Sequence, residues 1–164
     1  MTTDICITET RDVETVWGIV TNREVFGRIC DDLWLSKSLN ELKAIVRGIV
    51  ENPANHIPLV TIEGKVAGCG ICYAMGDGVF DVHTFLLCRG AEAIAAGRAA
   101  IKFVFQFPEV MLLKSSCPMN MKNTLFFALR CGFKRIGIAP HKWVKNGIKY
   151  DIMTVAKERG TPCL

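Results

Sequence analysis

Asp81 and His83 stand two residues apart in the run Val79-Phe80-Asp81-Val82-His83-Thr84-Phe85-Leu86-Leu87, whose β-branched and aromatic residues read as a strand. Side chains two apart on a strand share a face. Histidine is the side chain whose ordinary pKa suits it to take a proton near neutrality, and a carboxylate beside it can orient the ring or hold an ammonium group. The pair therefore fits general-base chemistry. The competing reading is a partly solvated face on which His83 closes a hydrogen-bond network.

The same strand delivers its end to Arg89-Gly90-Ala91-Glu92-Ala93-Ile94-Ala95-Ala96-Gly97-Arg98. A strand that runs through a small-residue loop into a helix start makes an anion site, because unpaired amides and the helix dipole both point at the ligand. Ala93, Ala95, Ala96 and Gly97 would let a pyrophosphate approach the backbone, with Arg98 beside it. Close packing of a helix on a sheet explains the same composition equally well.

These residues must be positioned by their neighbours, and the hydrophobic periodicity supplies an order of elements. Ile5–Thr10 alternates as a half-buried strand, and Val13, Val16, Trp17 and Val20 share a helical face. Asn22 to Leu35 is less regular and reads as a short helix or an ordered loop. Ser38 and Glu41 form a capping box, and Leu39, Leu42, Ile45, Val46, Ile49 and Val50 follow at helical spacing until Asn52-Pro53. Residues 57–63, 66–74 and 79–87, joined by Gly/Asp turns, predict an antiparallel meander. Glu92–Phe107 leaves only Arg98, Lys102 and Gln106 as a narrow polar stripe, so this helix packs on a sheet. Strand 110–116, helix 120–131, strand 133–139 and strand 148–157 complete an α/β (α+β) sandwich: about seven strands in a mixed, mostly antiparallel sheet, flanked by about four helices.

The chain has 164 residues, half of them hydrophobic, which suits one domain spanning 1–164. Its 20 basic and 16 acidic residues are scattered, with no basic stripe interleaved with aromatics, so no nucleic-acid partner is expected. No apolar stretch approaches the roughly 20 residues that span a bilayer, and no signal-like start is present. The eight cysteines lie mostly in apolar runs as small buried hydrophobes, which predicts reduced thiols and a cytoplasmic location. Cys69 and Cys72 form a C-x-x-C in a strand, where positions three apart point to opposite faces, so no metal site is expected. Lys134, Arg135, His141, Lys142, Lys145 and Lys149 read as a solvated basic face.

The order of elements, and residues 79–138 in particular, resemble the GNAT superfamily of acyl-CoA-dependent N-acyltransferases. That family follows its fourth strand with an R/Q-x-x-G-x-G/A loop and carries a later N-x-x-A-x-x-x-Y-x-x-x-G-F helix. Here the loop reads Glu92-Ala93-Ile94-Ala95-Ala96-Gly97, of which only Gly97 matches strictly, whereas Ala128-Leu129-Arg130-Cys131-Gly132-Phe133 matches the end of the later motif. The resemblance implies acetyl-CoA as a small-molecule acyl donor and an unidentified amine as acceptor. It implies that amides of Leu86, Leu87 and Cys88, past a bulge in the fourth strand, hold the acyl carbonyl and pantetheine arm. It also implies that Asp31 and Asp32 shape the acceptor pocket and hold a cationic acceptor; as residues alone, such a pair is more often a helix cap on a wet surface. The family's asparagine position is Met121, flanked by Asn120 and Asn123, and its tyrosine position is Ala128, so the usual acid for the departing thiolate is missing. Tyr150, Tyr73 and Cys117 are the conceivable substitutes.

Gly78-Val-Phe-Asp-Val-His83, Cys88-Arg89-Gly90 and Cys117-Pro118-Met119-Asn120 further resemble short GNAT-like proteins of tailed bacteriophages, some of which serve head assembly. That resemblance implies a host-cell cytoplasmic or virion location, with a homodimer or virion proteins as partners. It also gives the alternative function: a catalytically inactive assembly protein.

Overall fold

A computed structural model describes residues 4–161. Its elements are β1 (Ile5–Glu9), α1 (Val13–Val20), α2 (Arg23–Ile29), α3 (Asp32–Leu35), α4 (Leu39–Glu51), β2 (Pro58–Ile62), β3 (Lys65–Gly76), β4 (Val79–Leu86), α5 (Gly90–Val104), β5 (Leu112–Pro118), α6 (Lys122–Arg130), β6 (Lys134–Lys145) and β7 (Ile148–Glu158). The seven strands form one sheet in the order β1-β2-β3-β4-β5-β7-β6. Every neighbouring pair is antiparallel except β4 and β5, which the α5 crossover makes parallel. The mixed, mostly antiparallel α/β sheet expected from the sequence is thus the observed one.

The alternation of the strands divides the core between two faces. Val16, Ile19 and Val20 of α1, Val25 of α2, and Val46 and Val50 of α4 pack on Cys69, Ile71 and Phe85. On the other face, Ile101 and Val104 of α5 and Ala128 of α6 meet Cys72, Phe80, Leu113, Cys117 and Val155. Ala96 and Ala100, nearer the start of α5, close on Val60 and Ile62 of β2. Cys69 and Cys72 therefore belong to different faces and different cores, which is what a strand period of two requires.

The capping box forms as expected, with Glu41 accepting from the Ser38 amide at 2.8 Å and the Ser38 hydroxyl accepting from the Glu41 amide at 3.3 Å. Six helices are present among the described residues, against about four expected. The additional ones, α2 and α3, occupy the irregular stretch 22–35. At seven and four residues they are too short to establish a helical period, and they are started by side-chain caps from Asn22 and Asp31.

The strand expected over 133–139 instead runs on to Lys145. Its register slips twice, between Arg135 and Gly137 and between Ala139 and Trp143, and the second slip contains Pro140. A proline looks like a stop in the sequence, yet at an irregularity of an edge strand its missing N–H costs nothing. No helix among the described residues is long and apolar enough to cross a membrane. Cys163 lies outside the described residues.

Candidate active site: a cleft through the sheet

β4 and β5 pair over only three positions, Val79–Leu112, Phe80–Leu113 and Asp81–Lys114. Beyond them the Ser115 hydroxyl still reaches the Val82 carbonyl at 2.9 Å, and then the strands part. The result is a wedge in the middle of the sheet, and a cavity of about 590 Å³ passes through it. Thr84, Leu86, Leu87 and Cys88 form one wall and Ser116, Cys117 and Pro118 the other. Helices from both faces contribute: Glu24, Val25, Arg28 and Ile29 of α2 on one side, and Ala93, Ile94, Gly97, Asn123, Thr124 and Phe127 of α5 and α6 on the other. Two ligands entering from opposite faces could meet inside the sheet.

The β4 wall presents polar backbone to that space. The Leu87 amide is committed to β3, donating to the Ala67 carbonyl at 2.8 Å. In an antiparallel ladder successive residues turn their N–H and C=O groups to alternate sides, so Thr84 and Leu86 direct theirs toward the open wedge. Of the amides expected to bind an acyl carbonyl, Leu86 is therefore available and Leu87 is not. The expected bulge in β4 is also absent: pairing with β3 is unbroken from Ala74–Phe80 to Gly68–Leu86, and the irregularity near this level lies between β2 and β3, at Val60/Thr61. Gly68 is what keeps β3 and β4 together there. Its φ is +146°, and a Cβ at this position would stand 2.9 Å from the Leu86 Cα and closer still to the Phe85 carbonyl oxygen.

On the α5 side the helix starts at Arg89–Gly90 without any side-chain cap. Its first amides are therefore open to a ligand, although Glu92 in the first turn opposes an anion. Ala93 and Gly97 line the cavity, while Ala95 is exposed outside it and Ala96 is fully buried against β2. Arg98 also falls outside: its guanidinium holds the Arg130 carbonyl at 2.8 and 3.0 Å and so ties α5 to the end of α6. Gly97 has a packing reason of its own. A Cβ there would lie 2.6 Å from the Phe127 ring and 2.9 Å from the Cys131 sulfur. Asn123 lines the cavity and Asn120 does not.

On the α2 side His83 lines the cavity, and its Nε2 lies 3.2 Å from the Asp81 carboxylate. The Tyr73 ring meets the imidazole edge-on at 5.3 Å. The strand pattern thus brought Asp81 and His83 together as the sequence implied. Asp31 and Asp32 are placed differently. Asp31 caps α3 by accepting from the Trp34 amide at 2.9 Å. Asp32 accepts from the Asn146 and Gly147 amides of the β6–β7 turn, each at 2.8 Å, and those two bonds hold its carboxyl below the usual value. Neither lines the cavity, because capping a short helix and clasping a turn are the nearer demands on their oxygens.

Lys145, expected on a solvated face, reinforces that clasp by donating to the Gly27 and Cys30 carbonyls at 2.8 and 2.6 Å. The charged wall residues to which sequence reasoning gave no role of their own are Glu24, Arg28 and Arg89. Arg89 donates to Glu24 at 2.6 Å across the mouth of the cleft. They come from two distant elements, and their only sequence signal is an arginine placed immediately before a small-residue helix start.

The three candidates for a proton donor separate clearly. Ala128, at the expected tyrosine position, is buried in the core. Tyr73 packs with the α1/α4 core, where burial, aided by Asp81, pushes its hydroxyl up to about 12. Tyr150 lies against Trp143, and neither tyrosine lines the cavity. Cys117 does line it, but burial pushes its thiol up to about 11 despite a hydrogen bond with Ser115. Burial, then Glu92, also raises Cys88.

No family model matches the sequence, and no curated protein matches it. Solved structures do. A spermidine N-acetyltransferase from Vibrio cholerae, solved with CoA and spermine, superposes with a TM-score of 0.76 at 12% identity, covering 96% of both chains. RimL, a ribosomal L7/L12 α-N-protein acetyltransferase solved with coenzyme A, gives 0.77 at 16% identity over 99% of this chain and 97% of its own. The fold is that of the GNAT acetyltransferases. The microcin C7 self-immunity acetyltransferase MccE, solved with acetyl-CoA and AMP, shares this GNAT fold at a TM-score of 0.71 and 17% identity, over 93% and 92% of the two chains.

Proposed function

We propose that the chain is an N-acetyltransferase that moves an acetyl group from acetyl-CoA to an amine. The observation that carries this reading is the wedge between β4 and β5, which perforates the sheet and gives each of two substrates its own face. The occurrence of the same fold in acetyltransferases solved with CoA or acetyl-CoA supports it.

In this reading the donor lies along α5 and α6. Its pyrophosphate sits at the uncapped start of α5, beside Ala93 and Gly97. Its amide-containing arm enters the wedge as an extra strand would, meeting the open backbone groups of Thr84 and Leu86. The Leu86 amide then faces the thioester oxygen, where negative charge grows during attack.

The acceptor enters from the α2 side. Its nitrogen must be neutral to attack, and His83, oriented by Asp81, takes the proton directly or through water. The nitrogen bonds to the thioester carbon, the C–S bond breaks, and coenzyme A leaves with the electron pair. A thiolate whose ordinary pKa is about 8.5 takes its proton from water without a dedicated acid, so Ala128 does not bar the reaction. Direct attack also fits the raised thiols of Cys88 and Cys117, which make poor nucleophiles.

Titration calorimetry with acetyl-CoA tests the donor half without assuming an acceptor. Micromolar binding is expected. No binding at millimolar ligand would overturn the enzyme reading and leave the fold as a scaffold. His83→Ala should lower turnover about a hundredfold while leaving acetyl-CoA affinity unchanged; equal turnover would remove His83 as the base.

A further inference from the structure

The acceptor side of the cleft is poor in usable negative charge. Among the residues lining the cavity, the one carboxylate is Glu24, which is paired with Arg89 at 2.6 Å. Asp31 and Asp32 lie close by in sequence but are spent on the α3 cap and the β6–β7 turn. Asp81 is engaged with His83 and lies outside the lining. Against this, Arg28 lines the same side and makes no ion pair or hydrogen bond among the described residues. The end of α2 that carries it is fixed by Lys145, which holds the carbonyls of Gly27 and Cys30. Arg28 is exposed at the wall of the cleft, with no partner for its guanidinium among the described residues, and such a group is a ready partner for an oxyanion, which it binds by two parallel N–H···O bonds. A polycation would have to displace Arg89 from Glu24, an exposed pair, and would face Arg28 and Arg89 as it did so.

From this arrangement we infer that the acceptor is an amine that also carries an oxyanion, a carboxylate or a phosphate, and that Arg28 binds it. The inference rests on the acetyltransferase reading for the amine's role, but its own content is the charge of the acceptor. Polyamines, the substrates named for one protein of the same fold, are excluded by it. Arg28 is a specificity-determining residue here, acting on binding and not on the proton transfer at His83.

The test uses the full-length protein saturated with coenzyme A and three probes in direct titration: glycylglycine for the carboxylate form, 3-aminopropyl phosphate for the phosphate form, and spermidine as the polycation. One of the two anionic amines should bind at least tenfold more tightly than spermidine, and which one does so identifies the oxyanion. Arg28→Ala should weaken that probe about tenfold to a hundredfold and leave coenzyme A binding unchanged. Arg28→Glu should reverse the order in favour of spermidine, and Arg28→Lys should restore part of the anion preference. Tighter binding of spermidine to the unaltered protein, equal binding of all three probes, failure of both anionic probes to bind, or indifference of the tighter anionic probe to Arg28→Ala would each overturn the inference. Failure of coenzyme A itself to bind overturns the acetyltransferase reading instead; the same three probes, titrated without it, then decide the charge preference of the cleft by the same criteria.

Discussion

The two sides of the cleft are built from different materials. The α5/α6 side offers backbone amides, alanines and a glycine, with Asn123 and Thr124 at its edge. The α2 side offers charged side chains from elements far apart in sequence: Glu24 and Arg28 from one helix, His83 from β4 and Arg89 from the start of α5. A surface made of backbone tolerates many sequences, because any small residue leaves the amides exposed. A surface made of charged side chains changes character with a single substitution. The difference accounts for a loop that keeps only Gly97 of its expected motif while the α5/α6 side of the cleft stays open.

The sharpest way to break this contrast is to put a side-chain charge into the backbone-built side. Ile94→Glu places a carboxylate near the start of α5, where the helix dipole favours it but a bound pyrophosphate would not. Acetyl-CoA affinity should fall on the order of thirtyfold or more, with the melting temperature unchanged; calorimetry and thermal denaturation read the two effects separately. Gly97→Glu is a worse probe, because any Cβ at Gly97 already collides with Phe127 and Cys131. Unaltered affinity in Ile94→Glu would mean that the phosphates lie elsewhere.

A smaller effect is expected where the α2 side is anchored. Asp32 holds the β6–β7 turn through two amides that keep its pKa below the ordinary 3.8. A depressed carboxylate contributes stability above its unfolded value and loses it as pH falls through its folded value. The difference in melting temperature between the wild type and Asp32→Asn should therefore be constant from neutrality down to about pH 3.8 and should close below it. At neutral pH the same variant should raise the acceptor KM a few-fold and leave acetyl-CoA binding alone. A gap that widened on acidification would contradict the assignment.

The smallest effect belongs to the wedge itself. Cys117→Ser should leave turnover within about twofold, and initial-rate plots should intersect, as a ternary complex requires. Parallel lines with an inactive Cys117→Ser would show instead that an acyl-enzyme forms on a thiol whose burial argues against it.

The parts of the molecule that could be read from sequence are those ruled by local periodicity. The Ser38–Glu41 box, the β2–β3–β4 meander and the small-residue face of α5 each have a period or a cap that fixes them within a few residues. The Asp81–His83 pair was legible for the same reason, since a strand dictates which side chains share a face. The helix-cap reading of Asp31 was legible, but the pocket role implied for Asp31 and Asp32 could not be tested from the chain, because their partners, the amides of Trp34, Asn146 and Gly147, depend on a short helix and on a hairpin more than a hundred residues away. Arg28 and Glu24 were missed for a related reason: a seven-residue helix shows no period, so nothing in the chain says which way it faces. The loss of Leu87 as a donor could not be foreseen either, since it depends on which neighbour claims each backbone amide.

The three-residue contact between β4 and β5 also has a mechanical side. It divides the sheet into two stiff plates, β1–β4 and β5–β7, joined by a short weld and a helical strap. Flexing should concentrate at the weld, so the backbone groups bordering the gap exchange their hydrogens sooner than those in the middle of either plate. Anything strand-like lodged in the gap works as a shim, stiffening both plates at once. Slower exchange at Thr84 and Leu86 on adding acetyl-CoA would record that stiffening.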